Sequence, residues 1–346
     1  MRRIVGFVLL GLGVFAVALG LLLRFYAYPQ LAKAPLDNES TSVAQGSGIT
    51  ALVVETVDGA PSPEIRENLD LTSTTYVTGD LTRPEVEEDG DVAVYVEAIE
   101  IVDDDSGTTV SGSLRSLCVD RHTAVAVAPC EGQYIEQVKD DREEGTRNRV
   151  QQPGLSFKFP FGTEQQDYEY YDLSVRKSIT ARFAGEETVS GLDLYKFTMS
   201  VSPTKIADRE VPGALIGQPD EPSVEAELYY EVKRTVWVEP ATGIIVVGEQ
   251  EGKQELLADD ELPGEGTTVF EGKLRFNEKT ISDNVARAED GRSQLNLLTT
   301  WPIVAWIVGA VLIVAGIFFL LRNPGRGGHR ASGGTPPRRR EPVATN

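Results

Sequence analysis

The chain has 346 residues, of which 53 are acidic and 33 are basic, and its formal net charge is −20. Residues 25–300 hold 52 of the acidic residues and 24 of the basic ones, so this middle region carries a net charge of −28. Nucleic acid is therefore a poor partner, because its phosphate backbone is also negative. The charge indicates either a well-solvated surface or one that attracts cations and is repelled by anionic headgroups.

The first predicted element is a membrane helix over residues 4–23, a run of 20 residues without a charge. At helical rise this run covers about 30 Å, the thickness of the hydrocarbon core of a bilayer. The run is long for the apolar part of a signal peptide. Ala32 to Ala34 ("AKA") resembles a cleavage site, but Pro35 follows it and disfavours cleavage, so an uncleaved anchor is expected.

Alternating apolar and polar residues predict many strands between residues 25 and 300. The turn "EPATG", Glu239 to Gly243, lies between two of these strands and predicts a hairpin. We expect an α+β fold with one large β-rich domain between two membrane helices. The predicted strand segments are Asp91 to Val102, Thr123 to Ala128, Leu194 to Val201, Ala226 to Pro240, Gly243 to Gln250 and Thr267 to Phe276.

Two cysteines, Cys118 and Cys130, lie close together in the middle region. Outside the cytoplasm an isolated pair of this kind normally forms a disulfide. The alternative is a pair of metal thiolates, which needs further ligands, and His122 is the only histidine in this region. The disulfide is the favoured prediction, and no metal or cofactor is expected.

The aromatic stretch "FPFGTEQQDYEYYD" begins at Phe159 and ends at Asp172. It is interpreted first as a strand or rim segment whose rings are buried. The second interpretation makes Phe159, Phe161, Tyr168 and Tyr170 the contacts for a lipid or sugar ligand, because amphipathic rings suit such molecules.

A helix is predicted over Ser282 to Leu298, followed by a second membrane helix that contains the uncharged run of residues 302–321. Arginines before the first helix and after the second place both termini in the cytoplasm of a plasma-membrane protein. The predicted segments are a cytoplasmic N-terminus (1–3), a transmembrane helix (4–23), an extracytoplasmic β-rich domain (24–300), a transmembrane helix (301–321) and a disordered basic cytoplasmic tail (322–346).

Few catalytic motifs fit this sequence. It contains no GxSxG, HExxH, P-loop or GxGxxG pattern. Asp103 to Asp105 are interpreted as a solvated turn in preference to a calcium loop, because the ligand spacing of a known loop is missing. A pair of carboxylates acting on glycans stays open as an alternative, since glycoside chemistry needs only two acids.

Three segments resemble the actinobacterial two-pass envelope family known as the PorA family, and the resemblance covers nearly the whole chain. They are "PFGTEQQDYEYYD", "FAGEETVSGLDLYKF" (Phe183 to Phe197) and "RTVWVEPATGIIV" (Arg234 to Val246). The topology is also similar to that of class B scavenger receptors, which carry lipids. The resemblance implies a part in building a mycolate-type envelope and supplies no catalytic residues.

We therefore expect a membrane-anchored, non-enzymatic protein that binds or transfers lipid or lipoglycan during envelope biogenesis. The expected partners are the lipid bilayer, a lipid or lipoglycan ligand and envelope-assembly proteins. A scaffold for envelope machinery is a further alternative. Porin activity is considered unlikely, because two apolar helices without a polar stripe cannot line a pore alone.

Overall fold

The computed structural model describes residues 2–57, 59–88, 90–137 and 147–321. The chain divides into a helical unit, Met1–Leu22 with Pro302–Asn346, and a β-rich unit, Leu23–Trp301. The predicted disordered tail, residues 322–346, lies outside the described residues, as does Met1.

The two long helices lie near the ends of the described chain, and the short helix α3 lies between β2 and β3. The N-terminal helix α1 continues into a π-helical turn, Leu23–Ala27, and the long C-terminal helix is α4. The segments Arg3–Leu31 and Glu278–Leu321 are both long and apolar enough to cross a membrane. The helices are α1 (Arg2–Leu22), α2 (Tyr28–Leu31), α3 (Pro84–Glu88) and α4 (Glu278–Leu321).

The prediction that helix α4 begins at Ser282 is wrong, because it starts four residues earlier. Helix α4 begins at Glu278 because Asn277 caps it, with its Oδ1 accepting a hydrogen bond from the Thr280 backbone N–H at 2.9 Å. The helix then continues through Gly291 and Pro302 to Leu321 without a break.

In the helical unit, α1 and α4 pack against each other in antiparallel directions through glycines. A Cβ atom added to Gly13 would lie 2.7 Å from the Gly309 carbonyl oxygen, and one added to Gly316 would lie 2.9 Å from the Gly6 carbonyl oxygen. A Cβ added to Gly20 would lie 2.5 Å from Trp306. The glycines repeat every seven residues on each helix, which keeps them on the facing side.

The described residues contain twelve strands in a single antiparallel sheet. The strands are β1 (Glu39–Val57), β2 (Ala60–Gly79), β3 (Val92–Asp103), β4 (Thr109–Asp120), β5 (Tyr134–Gln137), β6 (Arg147–Asn148), β7 (Tyr168–Asp172), β8 (Lys177–Val189), β9 (Leu192–Val211), β10 (Val224–Val238), β11 (Ile245–Leu257) and β12 (Thr267–Phe276). This confirms the expected β-rich fold class with helices at both ends.

The sheet is an up-and-down half-barrel. Its strand order is β6-β5-β4-β3-β2-β1-β12-β11-β10-β9-β8-β7. Every neighbour in this order is also a neighbour in sequence, apart from the pairing of β1 with β12 at the centre. The consecutive strands β6 and β7 therefore lie at opposite edges of the sheet.

One strand prediction is wrong. Thr123 to Ala128 forms only isolated bridges, Val119 to Ala126 and Val125 to Leu155. Ala124 has a φ of +59°, in the left-handed region, which is incompatible with an extended strand. The predicted hairpin at Glu239 to Gly243 is confirmed, since it joins β10 to the antiparallel strand β11.

The first part of α4 packs on one face of the sheet. Ile281 and Ala288 of the helix contact Leu194, Trp237 and Val247 of the strands, and all five are buried. Val236 and Val238, the neighbours of Trp237, lie in a different cluster on the opposite face of β10. This second face, called the inner face below, holds the candidate site.

Candidate functional site

The chain between β6 and β7 folds into the inside of the half-barrel. Residues 150–163 are called the crossing segment below. The backbone of Leu155 bonds to β7, donating to the Glu169 carbonyl and accepting from the Tyr171 N–H, each at 2.8 Å. Next to it, the Gly154 carbonyl accepts a hydrogen bond at 3.0 Å from the Ala126 N–H, which follows β4. The crossing segment therefore bridges the two arms of the half-barrel.

Side chains of the crossing segment pack on the inner faces of both arms. Phe157 contacts the β3–β4 cluster and meets the Tyr95 ring edge-on with centroids 5.6 Å apart. Leu155 and Phe159 belong to the β8–β10 cluster, where Phe159 stacks on Phe197 at 4.5 Å. Burying one phenylalanine side chain contributes roughly 1.5–3 kcal/mol, so these rings hold the segment in place.

An ion pair lies on the inner face of β3 and β4. Glu97 and Arg115 occupy directly opposed positions, and their side chains are only 9% and 6% exposed. The Arg115 Nε donates to Glu97 Oε2 at 2.5 Å. Its Nη1 donates to Gln152 and Ser156 of the crossing segment, each at 3.3 Å. Arg115 thus connects the strand pair to the segment that crosses it.

A second ion pair lies on the opposite arm. Arg234 of β10 contacts Asp172 at 3.3 Å, and its guanidinium also donates to Gln250 Oε1 of β11. The Tyr230 hydroxyl donates to the same Asp172 carboxylate at 3.4 Å. Burial raises the pKa of Tyr230 to about 12, so this hydroxyl stays a donor at neutral pH. The hydroxyl of Tyr170, two residues before Asp172 on β7, donates to the Ser156 carbonyl of the crossing segment.

The predicted ligand-contact residues lie beside this network. Phe159 has no exposed surface, and Tyr168 packs edge-on against it at 5.4 Å. Tyr170 lies on the same cluster, with its ring 6.3 Å from that of Phe159. Phe161 lies apart from them, half-buried, over the amine of Lys158. Three of the four predicted residues are therefore neighbours in a packed aromatic cluster.

Lys158 has an unusual environment. Its Nζ is inaccessible to solvent and, among the described residues, accepts or donates no hydrogen bond. The amine lies 3.4 Å from the centroid of the Phe161 ring. Burial lowers the pKa of Lys158 to about 7. In this conformation the charged amine would gain from the face of the Phe161 ring but receives no hydrogen bond from the described residues.

Cys118 and Cys130 are joined by a disulfide with their Cα atoms 5.9 Å apart. Glu85 lies next to this bond, but its Oε1 accepts hydrogen bonds from the Glu131 and Gly132 N–H groups. His122 is turned away, with its Nδ1 3.0 Å from the Ala32 carbonyl oxygen. Sulfurs bonded to each other are not thiolates, so this group does not offer the ligands of a typical zinc site.

The three aspartates Asp103 to Asp105 form a turn that satisfies its own polar groups. Asp103 Oδ1 accepts from the Asp105 N–H at 3.2 Å, and its Oδ2 accepts from the Ser106 hydroxyl at 2.6 Å. These bonds occupy the carboxylate that a calcium ion would need.

Sequence reasoning missed the residues of the two buried pairs: Glu97, Arg115, Asp172 and Arg234. A signal was present in the alternation of β3, since Glu97 shares the phase of Ala93 and Tyr95, which are buried. A charged residue on the apolar phase of a strand indicates a buried partner. Its partner and the crossing segment are distant in sequence, so their identity could not be read from this pattern.

Comparison with known proteins gives a consistent result. Residues 5–318 match the family described as Porin PorA. A Porin PorA of Corynebacterium amycolatum is 25% identical over 381 aligned residues, which cover 91% of this chain and 98% of that relative. A Porin PorA of Corynebacterium resistens is 25% identical over 233 residues, covering 49% of this chain and 56% of that relative.

These relatives contradict the predicted function. They are named porins, so the interpretation as a protein that binds or transfers lipid or lipoglycan is wrong, and so is the expectation that porin activity is unlikely. The expectation rested on the apolar character of the two helices, and the charged residues buried in the half-barrel were not visible as a group in the sequence. Because the family match extends over most of its length, the chain belongs to the Porin PorA family.

Proposed function

We propose that this chain is a pore-forming protein of the cell envelope that lets small solutes cross a membrane. Its family and the name of its relatives support this proposal. The observation that carries it within the structure is the charged inner face of the half-barrel. Glu97 pairs with Arg115, and Asp172 pairs with Arg234, where an ordinary core would be apolar.

The proposal assigns the membrane crossing to α1 and α4. Their antiparallel packing in the helical unit supports a two-pass arrangement with both termini on one side. Arg2 and Arg3 before the first helix and six arginines after the second favour the cytoplasm for that side. The β-rich unit is then extracytoplasmic, in an oxidising compartment that suits the Cys118–Cys130 disulfide.

One helix pair does not enclose a water path, since its exposed side chains are apolar all round. The proposal therefore requires several copies for the membrane part of the pore. The inner face of the half-barrel lines a further part of the solute path. Its paired charges, which the crossing segment covers in this structure, would offer water and ions a polar wall where that segment is displaced.

The test is conductance of the purified full-length protein in a planar lipid bilayer. Discrete current steps are expected, with an average step size that is reproducible between preparations. The proposal fails if the protein is shown to be inserted, by protection of its helices from protease, and yet gives no steps.

Two variants test whether the inner face lines the path. Arg234→Gln removes a charge from the inner face, and Gln250→Glu adds one beside Arg234 while keeping its acceptor oxygen. Both are expected to change the step size. The matched control is Lys233→Gln, at the exposed neighbouring position of β10 whose side chain lies on the opposite face, and it is expected to leave the step size unchanged. Unchanged steps in both inner-face variants would place the path elsewhere.

A tag at each end tests the topology. An epitope added after Asn346 and another before Arg2 are expected to stay inaccessible to antibody in intact cells and to become accessible after permeabilisation. Labelling of either tag on intact cells would overturn the orientation.

A further inference from the structure

The crossing segment lies where a closed barrel would have its lumen. Strands β6 and β7 are consecutive in sequence, and pairing them would close the up-and-down sheet into a barrel. The chain between them instead lies against the inner faces of both arms through Leu155, Phe157 and Phe159. Plugging of a barrel by a segment of its own chain is a known solution for transport proteins.

The backbone hydrogen bonds that hold the crossing segment differ in length. At its centre, the Phe159 N–H donates to the Gly243 carbonyl at 2.8 Å, and Gly243 approaches so closely that a Cβ there would lie 2.0 Å from the Phe159 carbonyl oxygen. Two residues further on, the Phe161 N–H donates to the His122 carbonyl at 3.3 Å. Lys158, the residue before Phe159, opposes this arrangement, because its buried Nζ lacks a hydrogen-bond partner within the described residues.

We propose that the crossing segment is a proton-coupled plug, whose release from the inner face takes up a proton on the Lys158 amine. This inference rests on the proposed function for its physiological meaning. While the segment lies against the inner face, burial favours the neutral amine of Lys158. When the segment is released, the amine lies in water and the ammonium ion is favoured.

The surrounding titratable groups do not compensate the charge of Lys158. On the loop after β4, His122 is bonded to the Ala32 carbonyl and lies 3.6 Å from Asp91. On the β10–β11 turn, the Glu239 carboxylate accepts from the Ala241 and Thr242 N–H groups and from the Thr242 hydroxyl. On α2, the Tyr28 hydroxyl lies near Gly162. Burial alone accounts for the lowered pKa of the amine.

The sign of the coupling follows from the two protonation states. Seated, the amine has a pKa of about 7, and released it returns to the ordinary value of about 10.4. Between these values release binds a proton, so the release equilibrium rises about tenfold for each unit by which the pH falls. Below pH 7 both states are protonated, and the equilibrium becomes independent of pH.

Hydrogen exchange of the full-length protein in detergent tests this directly. Amide protection factors, corrected for intrinsic exchange, are measured at pH 7, 8 and 9. The Phe159 and Phe161 amides are expected to gain roughly 100-fold in protection between pH 7 and 9. The amide of Val236 in β10 serves as the reference for global opening. Its protection should show the same slope, because unfolding also exposes Lys158, but it should stay well above that of the Phe159 and Phe161 amides at every pH.

Lys158→Met removes the titratable amine while keeping the length of the side chain. Protection of the Phe159 and Phe161 amides is expected to become independent of pH and at least as high as that of the parent at pH 9. Lys177→Met, on an exposed position of β8, is the control that keeps the parental slope. If Lys158→Met does not fold, Lys158→Gln makes the same comparison.

Three outcomes would overturn the plug. They are a flat pH profile in the parent, a slope that persists without Lys158, or protection of the Phe159 and Phe161 amides equal to that of Val236, which would mean that the segment is released only by global unfolding. The conductance experiment is independent of these readouts. If the exchange follows the expected slope but the protein gives no current steps, the pore function is wrong and proton-coupled release is supported. If the protein gives current steps but its exchange profile is flat, the pore function is supported and proton-coupled release is wrong.

Discussion

Glu97 and Arg115 face each other directly across β3 and β4, with the guanidinium 2.5 Å from the carboxylate and both side chains over nine-tenths buried. Arg115 also stacks over Phe157 of the crossing segment, with the guanidinium carbon 4.9 Å from the ring centroid. Each member of the pair therefore neutralises the buried charge of the other. Through Arg115, the pair also fixes the crossing segment to one arm of the half-barrel.

Removing one member of this pair should destabilise the protein more than removing both. Glu97→Gln leaves the Arg115 charge buried without its counterion, which costs about 3–5 kcal/mol of the free energy of unfolding. The double variant Glu97→Leu with Arg115→Met buries no charge and should lose less. Urea unfolding of the full-length protein in detergent measures both.

A control for this comparison is Lys205→Met, which breaks an exposed ion pair between β9 and β10. Its unfolding midpoint should match that of the parent, because exposed pairs contribute little. If Glu97→Gln and the double variant lose the same free energy of unfolding, the packing of these side chains, and not the pairing of their charges, determines stability at this site.

Lys158 should make stability depend on pH in the opposite direction to a paired lysine. Because burial lowers its pKa to about 7, the unfolded chain binds a proton that the folded chain lacks between pH 7 and about 10.4. Stability should therefore rise with pH over this window. Lys158→Met should stabilise the protein, most strongly below pH 7 and by at most roughly 5 kcal/mol.

The measurement for Lys158 is the pH dependence of the urea midpoint in the parent, Lys158→Met and Lys177→Met. The difference between the parent and Lys158→Met should shrink as the pH rises from 7 towards 10. A difference that stayed constant with pH would mean that the amine is charged in the folded protein.

The Cys118–Cys130 disulfide should stabilise the β-rich unit by reducing the conformational entropy of the unfolded chain. The cysteines are separated by 12 positions in sequence, and a loop of this length predicts a loss of about 3 kcal/mol when both become serine. Thermal unfolding with and without a reductant provides the measurement. The double serine variant should be insensitive to the reductant, and a parent that is equally insensitive would show that the bond does not constrain folding.

Sequence reasoning recovered the parts of the fold that local patterns encode. The two apolar runs, the alternation of β3 and β9–β12, and the Glu239 to Gly243 turn are all short-range signals. The crossing segment is different, because Phe157 and Phe159 find partners on strands far away in sequence. For the same reason Arg115 and Arg234 could not be distinguished from surface charges. The aromatic stretch could be described as structural, but its place inside the half-barrel required the structure.

The functional error has a related cause. The exposed side chains of α1 and α4 are apolar, as the sequence predicts, and this feature alone made a pore look unlikely. The seven-residue spacing of Gly6, Gly13 and Gly20 is a weak signal by itself, because glycine is common in membrane helices. Helix packing through these glycines is a long-range property that only the pairing with Gly309 and Gly316 reveals.

Packing of the helix pair should fail when Gly13 receives a side chain. A Cβ at this position would lie 2.7 Å from both the Gly309 carbonyl oxygen and Ile313, so Gly13→Leu forces the helices apart. Gly11→Leu is the matched control, because a Cβ at Gly11 has nothing within 4 Å. Overpacking of this kind typically costs 1–3 kcal/mol.

Thermal loss of helical circular dichroism in detergent reports on this packing. Gly13→Leu should lower the midpoint of the helical transition, and Gly11→Leu should leave it near that of the parent. Equal midpoints for the two variants would mean that α1 and α4 do not pair through their glycines in detergent.

The pore should prefer cations, and this preference should fall as salt rises. The net charge of −28 on residues 25–300 concentrates cations near the protein, whereas the two inner-face pairs are balanced and add no net charge. The Debye length shortens from about 10 Å at 0.1 M salt to about 3 Å at 1 M, so the selectivity should weaken over this range. Reversal potentials under a potassium chloride gradient, centred first near 0.1 M and then near 1 M, measure both effects. A preference that did not change with salt would assign the selectivity to a narrow site that the bulk charge does not control, and an anion preference at low salt would contradict a path exposed to the acidic unit.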